Sequence, residues 1–423
     1  MNWLSRSCLP SVFLGLIAGV PAFSPILPSL QAEELRRVSL KSSIQNVQPL
    51  TGIVLWDDAE EAATDAIQLE FSYLPYGAVA TAPGVYDWSM VDRKLAAIAA
   101  RGHQAIFRFY DTYPGKPSTV PAFLKAEKNY RDLTANSEKK PTGFPDWSHA
   151  GYQQFILDFF EAFAKRYDRD PRLAYLQVGF GLWSEYHIYD GPEELGRTFP
   201  SKAFQTKFLR HLSQQFVQTP WMVSIDAADG DRTPFEENPE LLTLKFGNFD
   251  DSFLCRQHAK VNAPNWRFFG ETRWQQSPRG GEFSYYNDRD QKLALGPKGP
   301  NGVSWETAAR QFQMTFIIGA DQPRHAGMER VKAAGMACGY RFRVTEFLAS
   351  DASSQVTIKN EGVAPIYYDA YPAVNGMRSK QSLKGLLPGQ SLKFSISKGG
   401  SSPELTIQCD RLVAGQRIEF SAD

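Results

Sequence analysis

Short apolar runs alternate with stretches of helical periodicity from about residue 50 to about residue 337. The runs are continuous rather than alternating, which is typical of strands that are covered on both faces. They predict eight strands, at residues 50–56, 67–73, 104–110, 173–180, 221–226, 242–246, 266–270 and 315–319. Between most of them the apolar residues recur at helical spacing. This alternation predicts a parallel sheet, and eight units predict its closure into a (β/α)8 TIM barrel, assigned to residues 33–338.

The pattern changes at about Gly339, where apolar and polar residues begin to alternate with period two. Turn signals such as Pro388-Gly389 and Gly399-Gly400 separate these runs, and no stretch of helical periodicity intervenes. Short alternating strands divided by turns are typical of antiparallel sheets packed face to face. We therefore predict a small antiparallel β-sandwich over residues 339–423.

The first residues have the pattern of an export signal. Arg6 precedes an apolar run at residues 12–20, which is too short to span a bilayer. Cleavage after Ala22 or Ala32 is compatible with the small residues there, and charge begins only at Glu33, which favours a signal peptide of residues 1–32. The alternative is an uncleaved anchor. We expect a secreted or periplasmic protein with no membrane span in the rest of the chain.

Composition narrows the choice of partner. The 46 Lys and Arg residues balance the 46 Asp and Glu residues, which argues against a nucleic-acid partner. Aromatic residues make up 13% of the chain and suit carbohydrate binding, although a large core also contains many aromatic residues. Cys255, Cys338 and Cys409 remain after cleavage, either as buried thiols or as one disulfide with one thiol left over. Their spacing indicates no metal site, and no cofactor is predicted.

Glutamates follow two of the predicted barrel strands. Reactive residues of such barrels lie at the carboxyl ends of the strands, and Glu185 and Glu271 follow predicted strands four and seven. Two carboxyl groups facing each other there could flank a glycosidic bond, one protonating the leaving oxygen while the other attacks the anomeric carbon. We therefore predict Glu185 and Glu271 as the catalytic pair, although a glutamate at a strand end is often only solvated.

Other polar and aromatic residues near the predicted strand ends are candidates for substrate binding. They are Arg108, Tyr110, Trp183, His187, Asp226, Asn248, Arg273 and Trp274. Each has a purely structural alternative, such as core packing for the tryptophans. The aspartates at 226, 229 and 231 could bind a hard cation, but acidic loops are usually just solvated, and we predict no metal.

Several segments carry a resemblance to known families. Residues 84–89 (GVYDWS), followed by a helix ending at Gly102, resemble a segment after the second strand in the 4/7 superfamily (clan A) of retaining glycoside hydrolases. This resemblance implies that Glu185 is the acid/base and Glu271 the nucleophile. In that superfamily an asparagine that binds the sugar 2-hydroxyl usually precedes the acid/base, whereas this chain has Ser184.

Two further segments resemble an uncharacterised family of secreted bacterial proteins with a barrel and a C-terminal β-sandwich. They are residues 181–187 (GLWSEYH) and residues 339–342 (GYRF). The sequence thus leads us to expect a secreted, retaining glycoside hydrolase acting on a β-linked saccharide. The alternative is a non-catalytic carbohydrate-binding protein with a degenerate barrel site, which Ser184 favours.

Overall fold

The barrel is confirmed in the computed structural model, which describes residues 34–423; the predicted signal peptide lies outside these residues. Eight parallel strands pair in chain order, and the last pairs with the first to close the sheet. They are β1 (Gly52–Trp56), β2 (Leu69–Pro75), β3 (Gln104–Tyr110), β4 (Leu173–Val178), β5 (Trp221–Ser224), β6 (Gly247–Phe253), β7 (Arg279–Phe283) and β8 (Phe316–Ile318).

Helices surround the barrel. Side chains of His149, Ser201 and Ser304 accept backbone N–H groups at the starts of three of them, as helix caps do. The helices are α1 (Ser89–Ala100), α2 (Ala122–Lys125), α3 (Ala150–Tyr167), α4 (Lys202–Gln215), α5 (Ala259–Phe268), α6 (Asp288–Leu293), α7 (Trp305–Phe312), α8 (Gln322–Ala326) and α9 (Met328–Gly335). Short 3₁₀ helices and two hairpins occupy the loops: Glu60–Ala62, Tyr76–Ala78, Ile225–Ala228, Pro239–Thr243 and Arg273–Gln275, with Ala80–Ala82 paired to Val85–Tyr86 and Leu133–Ser137 paired to Lys140–Phe144.

The predicted positions of strands six and seven are wrong. Residues 242–246 belong in part to a 3₁₀ helix, and β6 begins only at Gly247. Residues 266–268 end helix α5, and β7 lies further along the chain at Arg279–Phe283. The Trp266 indole N–H donates to Asp250 Oδ2 at 3.0 Å, so the apolar run packs as one face of a helix against β6. A short apolar run does not by itself distinguish a strand from a buried helical segment.

Strand β7 lacks an apolar run because the barrel needs glycine there. A Cβ on Gly280 would lie 2.3 Å from the Phe316 ring, and one on Gly281 would lie 2.6 Å from the Asp250 carbonyl oxygen. Real side-chain contacts are longer than these distances, so both positions exclude a side chain. The sequence of this strand, Arg-Gly-Gly-Glu-Phe, therefore has no hydrophobic pattern.

Two further sheets follow the barrel, as expected for an antiparallel β domain. The first contains β9 (Phe342–Ala349), β10 (Ser354–Asn360) and β13 (Ser391–Ile396), and β15 (Phe420–Ser421) pairs parallel to β9. The second contains β11 (Ala370–Val374), β12 (Met377–Arg378) and β14 (Leu405–Cys409). Arg36–Arg37, inside the predicted barrel range, pairs instead with β9.

The β domain closes the amino-terminal end of the barrel. The Arg411 guanidinium donates to the carbonyl oxygens of Asp168 at 3.0 Å and Leu173 at 2.8 Å, at the start of β4. Tyr368 donates to the carbonyl oxygen of Ala174 in the same strand. Barrel-interior residues and sandwich residues belong to one apolar core, which leaves the opposite, carboxyl end for the site.

Within residues 34–423, no helix is both long and apolar enough to cross a membrane. In the same range Cys255, Cys338 and Cys409 are all free thiols, the first two of them buried. The structure therefore agrees with the thiol alternative rather than with a disulfide.

Candidate active site

A tight turn after β4 carries Glu185. Trp183, Ser184 and Tyr186 around it have left-handed φ angles of 51°, 60° and 66°. A side chain in this conformation costs on the order of 1–2 kcal/mol per residue. The Glu185 backbone N–H donates to the Leu182 carbonyl at 3.0 Å, which closes the turn. Strain of this kind, concentrated in a few residues, is typical of functional sites.

Neighbouring residues make this turn possible. A Cβ on Gly179 would lie 2.0 Å from the Ser184 carbonyl oxygen, so only glycine permits the close approach. The Ser184 hydroxyl donates to the Phe109 carbonyl at 2.8 Å, and the residue is 1% exposed. Ser184 is therefore buried against β3. Its hydroxyl cannot serve as the sugar ligand that an asparagine provides at this place in the 4/7 superfamily.

Glu185 points to a cation inside the barrel. Its Oε1 accepts from the Arg108 guanidinium and, at 3.3 Å, from the Tyr73 hydroxyl. The Gln177 side-chain oxygen accepts two further Arg108 hydrogen bonds, at 2.9 and 2.6 Å. The Phe249 ring lies 4.4 Å from the Arg108 guanidinium carbon. Arg108 is thus fixed on several sides, and it holds one oxygen of Glu185 while leaving Oε2 free.

His187 lies on the other side of Glu185. Its Nδ1 is 2.8 Å from Asp226 Oδ2, whereas its Nε2 is 4.0 Å from Glu185 Oε2. Asp251, near the end of β6, comes within 4.0 Å of the same Nδ1. Burial and then the negative charges of Asp226 and Glu185 raise the pKa of Asp251 well above its ordinary value.

Glu282 completes the cluster, and the sequence analysis missed it. It is the fourth residue of β7, is 8% exposed, and pairs in register with Ile318 of β8. Burial, followed by the charge of Glu185, raises the pKa of Glu282 to about 8, while Arg108 acts in the opposite direction. A carboxyl group of this kind is protonated at neutral pH and can serve as a general acid.

Aromatic side chains border the carboxyl groups. Trp183 stacks on Tyr189 with ring centres 6.2 Å apart, and Tyr189 is 62% exposed. Tyr113 lies 5.5 Å from Tyr110 and 6.0 Å from Trp183, measured between ring centres. The exposed Tyr189 ring and the partly exposed Trp183 and Tyr113 rings, beside buried carboxyl groups, form a surface suited to the apolar faces of a sugar.

The structure brings together six of the predicted site residues: Glu185, Arg108, Tyr110, Trp183, His187 and Asp226. The other four, Glu271, Asn248, Arg273 and Trp274, lie elsewhere.

Glu271 is exposed, follows α5, and has its carbonyl oxygen 3.4 Å from Arg279 at the start of β7, so its predicted location at a strand's carboxyl end is wrong. Arg273 donates to the Leu244 and Phe246 carbonyls before β6, also at the amino end of the barrel. Trp274 follows it, and its carbonyl oxygen accepts from Tyr367 of the β domain.

Asn248 is the second residue of β6 and is 1% exposed. Its side chain donates to the Val223 carbonyl of β5 at 3.3 Å. This contact ties two neighbouring strands together, and the structure therefore gives Asn248 a role in the barrel wall.

The misplaced strands explain why Glu282 and Asp251 were missed. The apolar run at 266–270 predicts a strand that ends at Glu271, whereas the polar sequence of β7 predicts no strand. Two features of the sequence could have indicated the correct strand. Pro264 lies two residues before the run at 266–270, and Glu282 follows two glycines. Asp251 lies beside Asp250, and the sequence does not show which of the two faces the barrel interior.

Comparisons with protein-family models and with curated proteins give no match to this chain. Among solved structures, it is similar to an alpha-galactosidase from Geobacillus stearothermophilus, with a TM-score of 0.40 and 11% identity over 82% of this chain and 55% of that one. It is also similar to endo-glycoceramidase II from Rhodococcus sp. in a ganglioside GM3 complex, with a TM-score of 0.42 and 11% identity over 88% of this chain and 99% of that one.

A third similar structure is the exo beta-N-acetylglucosaminidase from Vibrio harveyi, with a TM-score of 0.38, 11% identity, and coverage of 70% of this chain and 55% of that one. The chain thus spans about half the length of the first and third of these enzymes. All three are glycoside hydrolases, and none of the comparisons distinguishes the 4/7 superfamily. The barrel assignment rests on the strand pairing described above, and any inference about activity rests on the geometry of the candidate site.

Proposed function

We propose that the protein is a glycoside hydrolase whose catalytic pair is Glu185 and Glu282. One observation carries the proposal: two carboxyl groups at the same barrel mouth have environments of opposite kind. Glu185 is ion-paired with Arg108, whereas burial and the charge of Glu185 raise the pKa of Glu282 to about 8. Carboxyl groups whose surroundings favour opposite protonation states are the usual basis for assigning an acid and a base or nucleophile.

The proposed roles differ from those implied by the family resemblance. Glu282 donates its proton to the oxygen of the leaving group, because it holds that proton at neutral pH. Glu185 attacks the anomeric carbon through Oε2, since Arg108 and Tyr73 occupy Oε1. Water then hydrolyses the glycosyl–Glu185 ester with Glu282 acting as the base, and the configuration at the anomeric carbon is retained.

The substrate we propose is a β-linked saccharide met outside the cell or in the periplasm. This choice follows from the family resemblance and from the export signal predicted at residues 1–32. The aromatic rim of Trp183, Tyr189 and Tyr113 supports a carbohydrate ligand, because such rings stack on the C–H faces of pyranoses.

The test is hydrolysis of a panel of aryl β- and α-glycosides and of oligosaccharides by the wild type and three variants. We expect Glu282→Gln and Glu185→Gln to lower kcat/KM by at least 100-fold, in line with the loss of an acid or a nucleophile. An aryl glycoside with a good leaving group should restore part of the first step for Glu282→Gln, and proton NMR of the first product should show retention.

Glu271→Gln is the matched control, because it makes the same chemical change at an exposed position near the amino end of the barrel. We expect it to keep wild-type activity. Loss of turnover in Glu271→Gln combined with full turnover in Glu282→Gln would overturn the assignment of the pair. Inversion at the anomeric carbon would instead assign Glu185 as a base that activates water.

A non-catalytic carbohydrate-binding protein is the second candidate, and Ser184 favours it. The hydroxyl of Ser184 is bonded to the Phe109 carbonyl, so the residue offers no side-chain ligand to a sugar. Calorimetry with the oligosaccharides of the same panel distinguishes the two functions. Binding that depends on Trp183, without release of product over days, would support the binding protein and contradict the hydrolase.

A further inference from the structure

His187 presents a buried nitrogen without a hydrogen bond to the carboxyl cluster. The residue is 9% exposed, and its Nε2 has no hydrogen-bond partner among residues 34–423. A buried polar atom that is left unpaired destabilises the fold, so such an atom requires an explanation. Nδ1 bonds to Asp226 at 2.8 Å, which fixes the ring and directs Nε2 towards Glu185, 4.0 Å away.

Glu185, His187 and Asp251 together have the geometry of a metal-ion site. One ligand atom from each lies within 4.8 Å of the other two. Zinc bonds to His nitrogen and carboxylate oxygen at about 2.0–2.2 Å, so the three side chains would have to draw closer together to share one ion. Three protein ligands also leave at least one position open for water or a ligand.

The Asp226–His187 contact is a second, independent feature of metal sites. A ligating histidine usually donates its other ring N–H to a carboxylate, which fixes the tautomer and makes the ligating nitrogen more basic. Asp226 is placed to do this for Nε2. Glu185, Asp226 and Asp251 surround His187 and have the buried Arg108 guanidinium beside them, so a divalent cation would also offset the negative charge that these three carboxylates bring together.

We infer that Glu185, His187 and Asp251 bind a divalent transition-metal ion of the zinc class, with Asp226 orienting the histidine. The ion takes Glu185 Oε2, the oxygen that the proposed hydrolysis uses for attack. This expected effect on activity rests on the proposed function: the metal-bound form should be inactive, and the metal-free form should hydrolyse the substrate. Zinc would then act as a reversible inhibitor.

Zinc titration calorimetry on the chelator-treated full protein tests the site without any need for turnover. We expect one zinc ion per chain for the wild type and no binding by His187→Ala. Asp226→Asn should weaken binding about 10–100-fold, which is the usual effect of losing such an orienting partner. His325→Ala removes a histidine outside the cluster and should bind zinc as the wild type does.

Glu282→Gln separates this site from the proposed activity, because Glu282 is not one of the three ligands. We expect it to bind zinc while lacking hydrolysis. Failure of the wild type to bind zinc, or equal binding by His187→Ala, would overturn the site whatever the activity. Stoichiometric zinc binding without loss of hydrolysis would overturn the inhibition and keep the site.

Discussion

Removal of the Glu282 carboxyl group should change how stability depends on pH. The pKa of this group rises from an ordinary 4.5 to about 8 in the folded protein, first through burial and then through the charge of Glu185. The folded state therefore binds this proton more tightly than the unfolded chain does. Stability contributed by the bound proton is complete below pH 4.5 and is lost as the pH rises through 8.

The size of the effect follows from the shift. One pKa unit corresponds to about 1.4 kcal/mol, so the full shift amounts to about 5 kcal/mol, lost at about 1.4 kcal/mol per pH unit between the two pKa values. Glu282→Gln cannot ionise and should lack this slope. Urea unfolding of the wild type and Glu282→Gln at a series of pH values from 4.5 to 8.5 measures both profiles. As the pH rises through this range, the free energy of unfolding of Glu282→Gln should increase relative to that of the wild type.

The slopes matter more than the absolute stabilities, because glutamine packs differently from a protonated carboxyl group at every pH. Glu271→Gln, at an exposed position, should give a profile parallel to that of the wild type. Parallel profiles for the wild type and Glu282→Gln would refute the reasoning, since they would mean that Glu282 titrates alike in the folded and unfolded states. The assignment of Glu282 as the proton donor would then lose its physical basis.

Three further substitutions test the surroundings of the site. Arg108→Met should leave Glu185 as an unpaired buried charge and lower the free energy of unfolding by about 3–5 kcal/mol at pH 7, as measured by urea unfolding. Gly280→Ala should cost at least about 1–3 kcal/mol in the same assay, because its Cβ meets the Phe316 ring at 2.3 Å. Tyr368→Phe removes a hydrogen bond between the β domain and β4, and should lower stability by about 1 kcal/mol while kcat/KM stays unchanged.

The barrel could be predicted from the sequence because its signal recurs in six of its eight strands. Continuous apolar runs and helical periodicity alternate from about residue 50 to about residue 337, and errors in two of the strands did not obscure the pattern. The period-two alternation after Gly339 predicted the β domain in the same way. Glu185 lies at the end of the barrel where the sequence predicts it, because it follows β4, a strand with a clear apolar run. Arg108 lies in β3, which has such a run as well, and His187 belongs to the turn after β4.

The second half of the site depended on tertiary contacts. Glu282 lies in a strand whose glycines are required by the Phe316 ring and by the Asp250 carbonyl, so the residues that make β7 fit are also those that remove its hydrophobic pattern. The run at 266–270 is apolar because Trp266 packs on the outside of the barrel and bonds to Asp250. Sequence periodicity indicates which residues are buried, but it does not indicate which part of the structure they pack against.

The sequence by itself determined the class of fold, the carboxyl end of the barrel as the place of the candidate site, and one of the two glutamates of the proposed pair. Only the tertiary structure decided which carboxyl group lies near Glu185, because β4 and β7 are far apart in the chain and meet only in the closed barrel. It also decided the character of each group, since the pKa of Glu282 reflects burial and the charge of a neighbour almost 100 residues away. Local sequence carries the propensity to form an element, whereas the electric environment of a side chain exists only once the barrel is closed.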